Sequence, residues 1–223
     1  MHVGLIGGIG VAATEFYYRR LIARHEKSGI ALDLTIVHAD VNELTQNAAK
    51  GEARKQAENF AKLIARLAAA GAGAAAVTSM TGHFCIRELE AMSLLPLINV
   101  IPEIDAELRR RNLKTVGILG TRTVMGTKIY GGISSAAVVL PQADAFDLVH
   151  IDYVDMALAG RVTQAQREVF FAIGRRLCEE QGAEAVLLGG TDLCLAFQDR
   201  DCGFPVIDCA DVHIDAIYAH SRA

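Results

Sequence analysis

The chain has 223 residues, of which 52% are apolar and 22% are charged. Acidic residues number 26 and basic residues 22, so the formal net charge is -4. A chain of this length buries a core without disulfides or a structural metal, and its acidic balance excludes the basic surface that nucleic-acid binding requires. We therefore expect a small polar metabolite as the partner, and no nucleic acid.

Short apolar runs that end in Gly or Ser alternate with longer segments of helical period, a pattern typical of an α/β fold with parallel strands. Eight strands are predicted, at Val3 to Ile6, Leu32 to His38, Ala74 to Thr78, Leu97 to Val100, Thr115 to Leu119, Leu148 to Ile151, Ala185 to Leu188 and Val206 to Ile207. Six helices are predicted, at Ala12 to Glu26, Glu52 to Ala70, Phe84 to Met92, Ile104 to Arg111, Thr163 to Gln181 and Ala210 to His220.

The N-terminus, the apolar runs and the cysteines indicate the compartment. The first residues have no basic stretch ahead of an apolar run, as a secretory signal would. The longest weakly polar run, Leu67 to Met80, is shorter than the about 20 residues that cross a membrane. The five cysteines show no CxxC spacing of the kind found in zinc or redox sites. We expect a cytoplasmic protein with free thiols, no metal and no membrane contact.

An internal repeat divides the chain into two similar halves. The matching segments, in order, are Val3 to Gly8 with Val116 to Thr121, Ala76 to Ser79 with Leu187 to Gly190, and Pro96 to Ile98 with Pro205 to Ile207. We predict a first α/β half over residues 1–100, joined by the C-terminal helix at 210–223, and a second half over residues 101–209.

The ends of the repeated strands indicate where a ligand would bind. Gly8, Ser79, Thr121 and Gly190 follow apolar strands. Ligands of parallel α/β sheets bind beyond the carboxyl ends of the strands, so these positions would converge if the halves face each other. The predicted fold is therefore two pseudo-symmetric parallel-sheet α/β domains that face a central cleft.

The glycine-rich turn after the first strand has the form Gly8-x-Gly10-x-x-Ala13. A dinucleotide site of this type also needs an acidic residue about 20 positions further on. The first acid at the end of the second strand, Asp40, lies too late. We expect no nucleotide cofactor, and a turn whose N–H groups hold a smaller anion such as a carboxylate.

Two further strand ends carry small and hydroxyl-bearing residues just before a helix, at Ser79 to His83 and at Gly190 to Leu193. Hydroxyls and N–H groups at such places can receive an anionic ligand. The alternative is that Thr81, and Thr191 or Asp192, are ordinary helix N-caps.

Three segments resemble the aspartate/glutamate racemase superfamily in its cofactor-independent branch. They are the opening Gly4 to Thr14, the segment Gly120 to Tyr130, and Pro205 to Asp208 followed by His213. The resemblance covers the whole chain and implies an isomerase of amino-acid metabolism that needs no cofactor. It also implies a homodimer whose substrate, a small amino or carboxylic acid, lies between two pseudo-symmetric domains, and we expect Thr121 and Thr123 to help bind it.

The family's usual mechanism employs two cysteines, one from each half, as base and acid on opposite faces of the substrate. A thiol suits both roles because its ordinary pKa of about 8.5 is close to neutrality. In this chain the resemblance places Ser79 at the first cysteine and Gly190 at the second. Met80 replaces an amide, and Val124 replaces a hydroxyl residue. Ordinary two-cysteine racemisation is therefore not expected.

The remaining candidates for proton transfer are Ser79, His83 and Asp192. His83 could instead cap a helix or lie in the core, and Asp192 could be an acidic residue that a helix dipole favours. Cys85 and Cys194 lie beyond the strand ends, and we expect both to be small buried core residues.

Three interpretations follow. The first is an isomerase or racemase that binds its acid with unusual groups at Ser79, Asp192 and His83 and with substrate-binding Gly8, Thr81, Thr121, Thr123, Gly190 and Thr191. The second is a lyase or hydrolase in which one acid delivers a proton to one face. The third is a noncatalytic ligand-binding homologue, since both thiols are lost. Fold alone does not decide among them.

Overall fold

The computed structural model describes residues 1–222 and contains two parallel β-sheets with helices around them. The strands are β1 (Val3–Gly7), β2 (Leu34–His38), β3 (Ala74–Val77), β4 (Thr115–Leu119), β5 (Ala137–Val139), β6 (Ala185–Leu188) and β7 (Val206–Asp208). The helices are α1 (Val11–Ser28), α2 (Val41–Lys50), α3 (Ala53–Ala69), α4 (Ile86–Met92), α5 (Val100–Arg110), α6 (Arg122–Gly126), α7 (Asp144–Ala159), α8 (Gln164–Glu179), α9 (Cys194–Phe197) and α10 (Cys209–Ser221). Two 3-10 turns, Thr81–Cys85 and Thr191–Leu193, follow β3 and β6.

Backbone contacts divide the chain into two units. The first unit is Met1–Asn99 with the segment from His213 onward, and the second is Val100–Val212. The second boundary falls inside α10, so one helix supplies residues to both units. No helix within residues 1–222 combines the length and the apolar character that a membrane span needs.

The sheet of the first unit has the strand order β2-β1-β3, and all its pairs are parallel. β1 is buried at every residue because it lies in the centre of this sheet. Helix α3 presents Phe60, Ile64 and Leu67 at steps of three and four residues, and all three are fully buried. Ile6 and Val77 belong to the same core cluster, which therefore supports the carboxyl ends of β1 and β3.

The sheet of the second unit has the order β5-β4-β6-β7, again all parallel. In the first unit a single parallel bridge joins Ala75 to Leu97, at the place where β7 pairs with β6 in the second unit. The amide of Ala75 donates to the carbonyl of Pro96, and that of Val186 donates to the carbonyl of Pro205. The two units thus repeat one topology, and the α/β fold class with parallel sheets is confirmed.

Two predicted strands are wrong. Leu97 to Val100 forms only the bridge at Leu97, because Val100 already begins α5, whose first turn accommodates Pro102. Leu148 to Ile151 lies inside α7. That short apolar run is part of a longer helical period in which Val149, Tyr153 and Met156 are buried while Leu148 and Ile151 stay exposed.

Some elements were missed. Helices α2, α6, α7 and α9 and the three-residue strand β5 have no counterpart in the prediction. β5 lies in the short apolar run Ala136 to Leu140, which the prediction passed over, and the strand is only partly buried. α2 is amphipathic with only Leu44 and Asn47 buried, and Asp40 caps its start by accepting a hydrogen bond from the amide of Asn42.

Candidate functional site

In the first unit, the chain leaving β3 turns tightly at Ser79. The Oγ of Ser79 accepts a hydrogen bond from the amide of Gly82 at 3.2 Å, and Thr78 donates from its Oγ1 to the carbonyl of Ile6 at 3.0 Å. Ser79 is 6% exposed. Its hydroxyl oxygen therefore orders the turn that follows β3.

His83 lies in this turn and folds back on the strand end. Its Nδ1 donates to the carbonyl oxygen of Ser79 at 2.7 Å, because a carbonyl only accepts. Nε2 is buried without a hydrogen-bond partner among residues 1–222. Burial lowers the pKa of His83 to about 4, so the imidazole is neutral near pH 7. The structure thus places Ser79, Thr81 and His83 together and holds an unprotonated ring nitrogen beside them.

The ring of His83 faces that of His213 on α10, with 5.8 Å between the ring centroids. Burial also lowers the pKa of His213, to about 3. Two neutral imidazoles can pack edge to face here without the repulsion that two cations would suffer. His83 therefore belongs to a buried aromatic cluster, which agrees with the expected core role as well as with a role at the strand end.

Gly8 follows β1 in a left-handed conformation, with φ of 86°. A side chain there would also meet the ring of His38, since an added Cβ would lie 2.3 Å from its Nδ1. The amide of Gly8 donates to Oγ1 of Thr14 at 2.9 Å, and that hydroxyl donates to the carbonyl of Gly10 at 2.8 Å. The glycine-rich turn is thus closed by its own threonine.

In the second unit, Thr121 follows β4 and caps α6. Its Oγ1 accepts a hydrogen bond from the amide of Val124 at 3.4 Å, and the residue is 8% exposed. Thr123, half-buried, lies within α6, and its carbonyl accepts from the hydroxyl of Thr127 at 2.7 Å. Gly120 allows the ends of β4 and β6 to approach closely, because an added Cβ would lie 3.1 Å from the backbone of Gly189.

The end of β6 holds a buried acid. Thr191 and Asp192 are 2% and 4% exposed, and the Tyr153 hydroxyl donates to Oδ2 of Asp192 at 3.2 Å. Tyr153 comes from α7 and is itself buried. Burial, with the nearby Asp192 carboxylate, raises the pKa of Tyr153 well above its usual value, so the phenol remains a donor. Tyr153 is the functional candidate that sequence reasoning missed.

The space beside Gly190 is occupied by the same tyrosine. A Cβ added at Gly190 would lie 2.2 Å from Cε2 of Tyr153. Two consecutive glycines at the end of an apolar strand indicated that another part of the chain lies close to the backbone there. They did not indicate its source, because Tyr153 is 37 residues away in a segment that was predicted partly as a strand.

The alternative that Thr81, Thr191 or Asp192 is a helix N-cap does not describe the turns that follow β3 and β6. The N-cap positions are Met80 and Gly190, and neither makes a side-chain capping hydrogen bond. Thr81, Thr191 and Asp192 lie one or two residues further on, inside the turns. Of the predicted binding threonines, Thr121 is the one that serves as an N-cap.

The thiols nearest the strand ends are buried and protonated. Cys85 is 0% exposed, and burial raises its pKa to about 12. Cys194 is 4% exposed, and burial together with Asp208 and Asp192 raises its pKa further from neutrality. Neither thiol supplies a thiolate at neutral pH, which is the form a thiol base requires.

A cavity of about 310 Å³ opens at the end of β2; no predicted site residue lines it, although His38 in its wall lies against Gly8. It is lined by His38, Ala39, Asp40, Glu43, Gln56, Asn59, Phe60, Lys62, Leu63 and Arg66. Within residues 1–222, no three His, Cys, Asp or Glu side chains are grouped as metal ligands.

The chain is similar to several solved racemase structures. A protein from Yersinia pestis assigned as an Asp/Glu racemase is 25% identical, with a TM-score of 0.83, and 100% of each chain is covered. Aspartate racemase from Picrophilus torridus is 18% identical, with a TM-score of 0.82, covering 100% of this chain and 95% of that one. Glutamate racemase from Francisella tularensis subsp. tularensis, solved with D-glutamate, is 14% identical, with a TM-score of 0.64, covering 98% and 80%.

The sequence profile of one family spans nearly the whole chain. The Asp/Glu/Hydantoin racemase profile matches residues 6–217, from the end of β1 to Ile217 in α10. The repeated βα topology of the two units agrees with the two-domain fold of the racemase structures. The chain therefore belongs to the Asp/Glu/Hydantoin racemase family.

Proposed function

We propose that this protein is an isomerase of its family that binds a small amino or carboxylic acid and moves the α-proton without a thiol. The observation that carries the proposal is the buried Asp192 carboxylate at the end of β6, which accepts a hydrogen bond from Tyr153. In the same unit no protonatable group is present at Gly190, and Cys194 is a protonated thiol. Asp192 is the group left to act as base.

The ligand class follows from the family and from the polar groups at the strand ends. The related glutamate racemase from Francisella tularensis was solved with D-glutamate, which carries an amino group and carboxylates. In the second unit Thr121, Thr123, Gly190 and Thr191 are the binding groups we assign to a ligand carboxylate. In the first unit we assign Gly8 and Thr81 to ligand binding, and Ser79 and His83 to proton transfer or its support.

The proposed step moves one proton. The Asp192 carboxylate takes the proton from the α-carbon and becomes a carboxylic acid, while the electron pair of the broken C–H bond spreads onto the ligand carboxyl. Donors around that carboxyl stabilise the added negative charge. Return of that proton from Asp192 to the same face reforms the starting enantiomer. The other enantiomer forms when a second group donates a proton to the opposite face, the role for which we assign Ser79 and His83. Asp192 then releases its proton to water, and the donor takes one up from water. Buried carboxyls perform proton abstraction next to a carbonyl in other enzymes.

The test is α-proton exchange. The purified protein is incubated with a panel of L- and D-amino acids in D2O, and loss of the α-proton signal is followed by NMR. Asp192→Asn is expected to reduce exchange by about 100-fold or more, the usual contribution of a general base. Asp155→Asn removes an exposed carboxylate from α7 and is the matched control, expected to keep full exchange.

Ser79→Ala reports on the first unit in the same assay. A loss of exchange in this variant would assign proton transfer to the Ser79 hydroxyl. Absence of exchange for every amino acid, from protein with a native circular dichroism spectrum, would contradict the isomerase proposal.

A second candidate, noncatalytic binding of the same class of acid, is favoured by the state of the thiols. Cys85, Cys194 and Cys209 are all buried with raised pKa values, so none replaces the thiols expected of the family. Calorimetric titration with the amino-acid panel separates the two functions. Binding without exchange would establish the second candidate.

We further propose that the protein is a cytoplasmic homodimer, on the family resemblance and on its free cysteines. Light scattering after size-exclusion chromatography measures the mass in solution. A mass equal to that of one chain would contradict the dimer.

A further inference from the structure

The ring of Tyr153 occupies the space beside Gly190. The tyrosine side chain reaches from α7 to the end of β6, where an added Cβ at position 190 would lie 2.2 Å from Cε2, 2.6 Å from Cζ and 2.9 Å from the hydroxyl oxygen. Contacts under 3.0 Å are essentially absent for real Cβ atoms, so any side chain at this position would displace the ring. Glycine is therefore required at position 190 for the Tyr153 ring to occupy this space.

In this position the Tyr153 ring directs its hydroxyl at the Asp192 carboxylate. The phenol oxygen lies 3.2 Å from Oδ2 of Asp192, and both residues are buried. An ionised carboxylate only accepts hydrogen bonds, so Tyr153 is the donor. Because burial raises the pKa of the phenol, the donor keeps its proton throughout the range in which a carboxyl titrates.

Asp192 is one of three acids that act on the same buried thiol. Cys194 on α9 is close enough for Asp192 to raise the thiol pKa, and Asp208 at the end of β7 and Asp211 on α10 act on the same thiol in the same direction. A hydrogen bond to the charged form favours an ionised carboxylate, and the Tyr153 hydroxyl supplies one to Asp192.

We propose that Tyr153 is a positioning residue that holds the Asp192 carboxylate ionised and in one orientation, and that Gly190 is required because it admits the tyrosine ring. The inference rests on the proposed function only in taking Asp192 as the group that moves the proton. Tyr153 does not itself need to touch the ligand.

Two substitutions break the same hydrogen bond in different ways. Tyr153→Phe keeps the ring and removes the donor. Gly190→Ala keeps both the donor and the acceptor but pushes the ring away from its place. If Gly190 acts through Tyr153, the two variants have the same effect on Asp192, and combining them adds nothing further.

The readout is the titration of Asp192 itself, which needs no turnover. The protein is labelled with ¹³C-carboxyl aspartate, and the Asp192 resonance is identified as the one missing from Asp192→Asn. Loss of a donor to the charged form raises the midpoint of a carboxyl, so we expect both variants to titrate about one pH unit higher than the unsubstituted protein. Tyr17→Phe removes a buried tyrosine hydroxyl from the first unit and is expected to leave this midpoint unchanged.

The outcomes separate the inference from the proposed function. An unchanged midpoint in Tyr153→Phe overturns the inference, even if Asp192→Asn abolishes α-proton exchange and so supports the function. A raised midpoint in Tyr153→Phe together with an unchanged one in Gly190→Ala overturns the role of Gly190. If Gly190→Ala does not fold, Tyr153→Phe decides, because it keeps the ring that fills the space. Where exchange is active, the acid limb of its pH profile is expected to move with the same midpoint in Tyr153→Phe, which a purely structural role would not produce.

Discussion

The hydroxyl of Tyr17 on α1 donates a hydrogen bond to Nδ1 of His213 on α10, with 3.0 Å between the two atoms. The other ring nitrogen, Nε2, donates to the carbonyl oxygen of Ile98 at 2.7 Å. The second bond fixes the tautomer, since a carbonyl cannot donate, and so leaves Nδ1 as an acceptor. His213 thereby joins α1, α10 and the segment after α4 in the first unit.

Removing the Tyr17 hydroxyl tests this connection. Tyr17→Phe leaves the buried Nδ1 of His213 without this donor, so we expect unfolding to become easier by about 1–3 kcal/mol. Urea unfolding followed by circular dichroism gives the free energy of unfolding. Tyr18→Phe is the control, because Tyr18 is 47% exposed and its loss should change stability by less than about 0.5 kcal/mol.

The two buried histidines make stability depend on pH. Burial lowers the pKa of His83 from 6.5 to about 4 and that of His213 to about 3, so the unfolded chain binds their protons first. The stability that the neutral imidazoles contribute is complete above pH 6.5 and declines as the pH falls toward 4. Each histidine contributes a slope of up to about 1.4 kcal/mol per pH unit.

His83→Asn isolates one part of this slope. The asparagine amide can replace the Nδ1 donor to the Ser79 carbonyl but does not titrate. We expect the fall in unfolding free energy below pH 6.5 to become shallower in this variant. An equal slope in both proteins would show that His83 does not take up a proton on unfolding.

Gly174 in α8 faces the ring of Phe204, and packing there should outweigh helix propensity. Alanine is favoured over glycine in a helix by about 1 kcal/mol. A Cβ at 174, however, would lie 2.3 Å from Cζ of Phe204, and overpacking costs about 1–3 kcal/mol. We expect Gly174→Ala to lower the melting temperature. In a Phe204→Leu background the same change should raise it, because the obstructing ring is gone.

The cysteines should differ in reactivity according to burial. Cys85, Cys194, Cys202 and Cys209 are buried, whereas Cys178 is partly exposed. The pKa of Cys178 is also raised, by burial first and then by Cys202, so its alkylation should be slow but still the fastest of the five. Peptide mapping after iodoacetamide treatment measures each site. Rapid labelling of Cys85 or Cys194 in native protein would indicate a reactive thiol. Such a result would support proton transfer by a thiolate at the site.

Local sequence patterns were sufficient to predict the central strands of the second unit. Thr115 to Leu119 and Ala185 to Leu188 were predicted residue for residue as β4 and β6. Continuous apolar runs bounded by Gly are sufficient there, because both strands are central and buried. The prediction failed at Leu148 to Ile151, where a four-residue apolar run fits both a strand and one side of a helix.

Periodicity and turn glycines are local properties of the chain, so they were sufficient to predict the α/β class, the internal repeat and the turns at Ser79 and Gly190. Local patterns could not predict that Tyr153 fills the space beside Gly190 and donates to Asp192, or that His83 faces His213. Those pairs are brought together by packing across many residues of chain. Burial, which sets the protonation of His83, Tyr153 and Cys194, likewise exists only once the chain has folded.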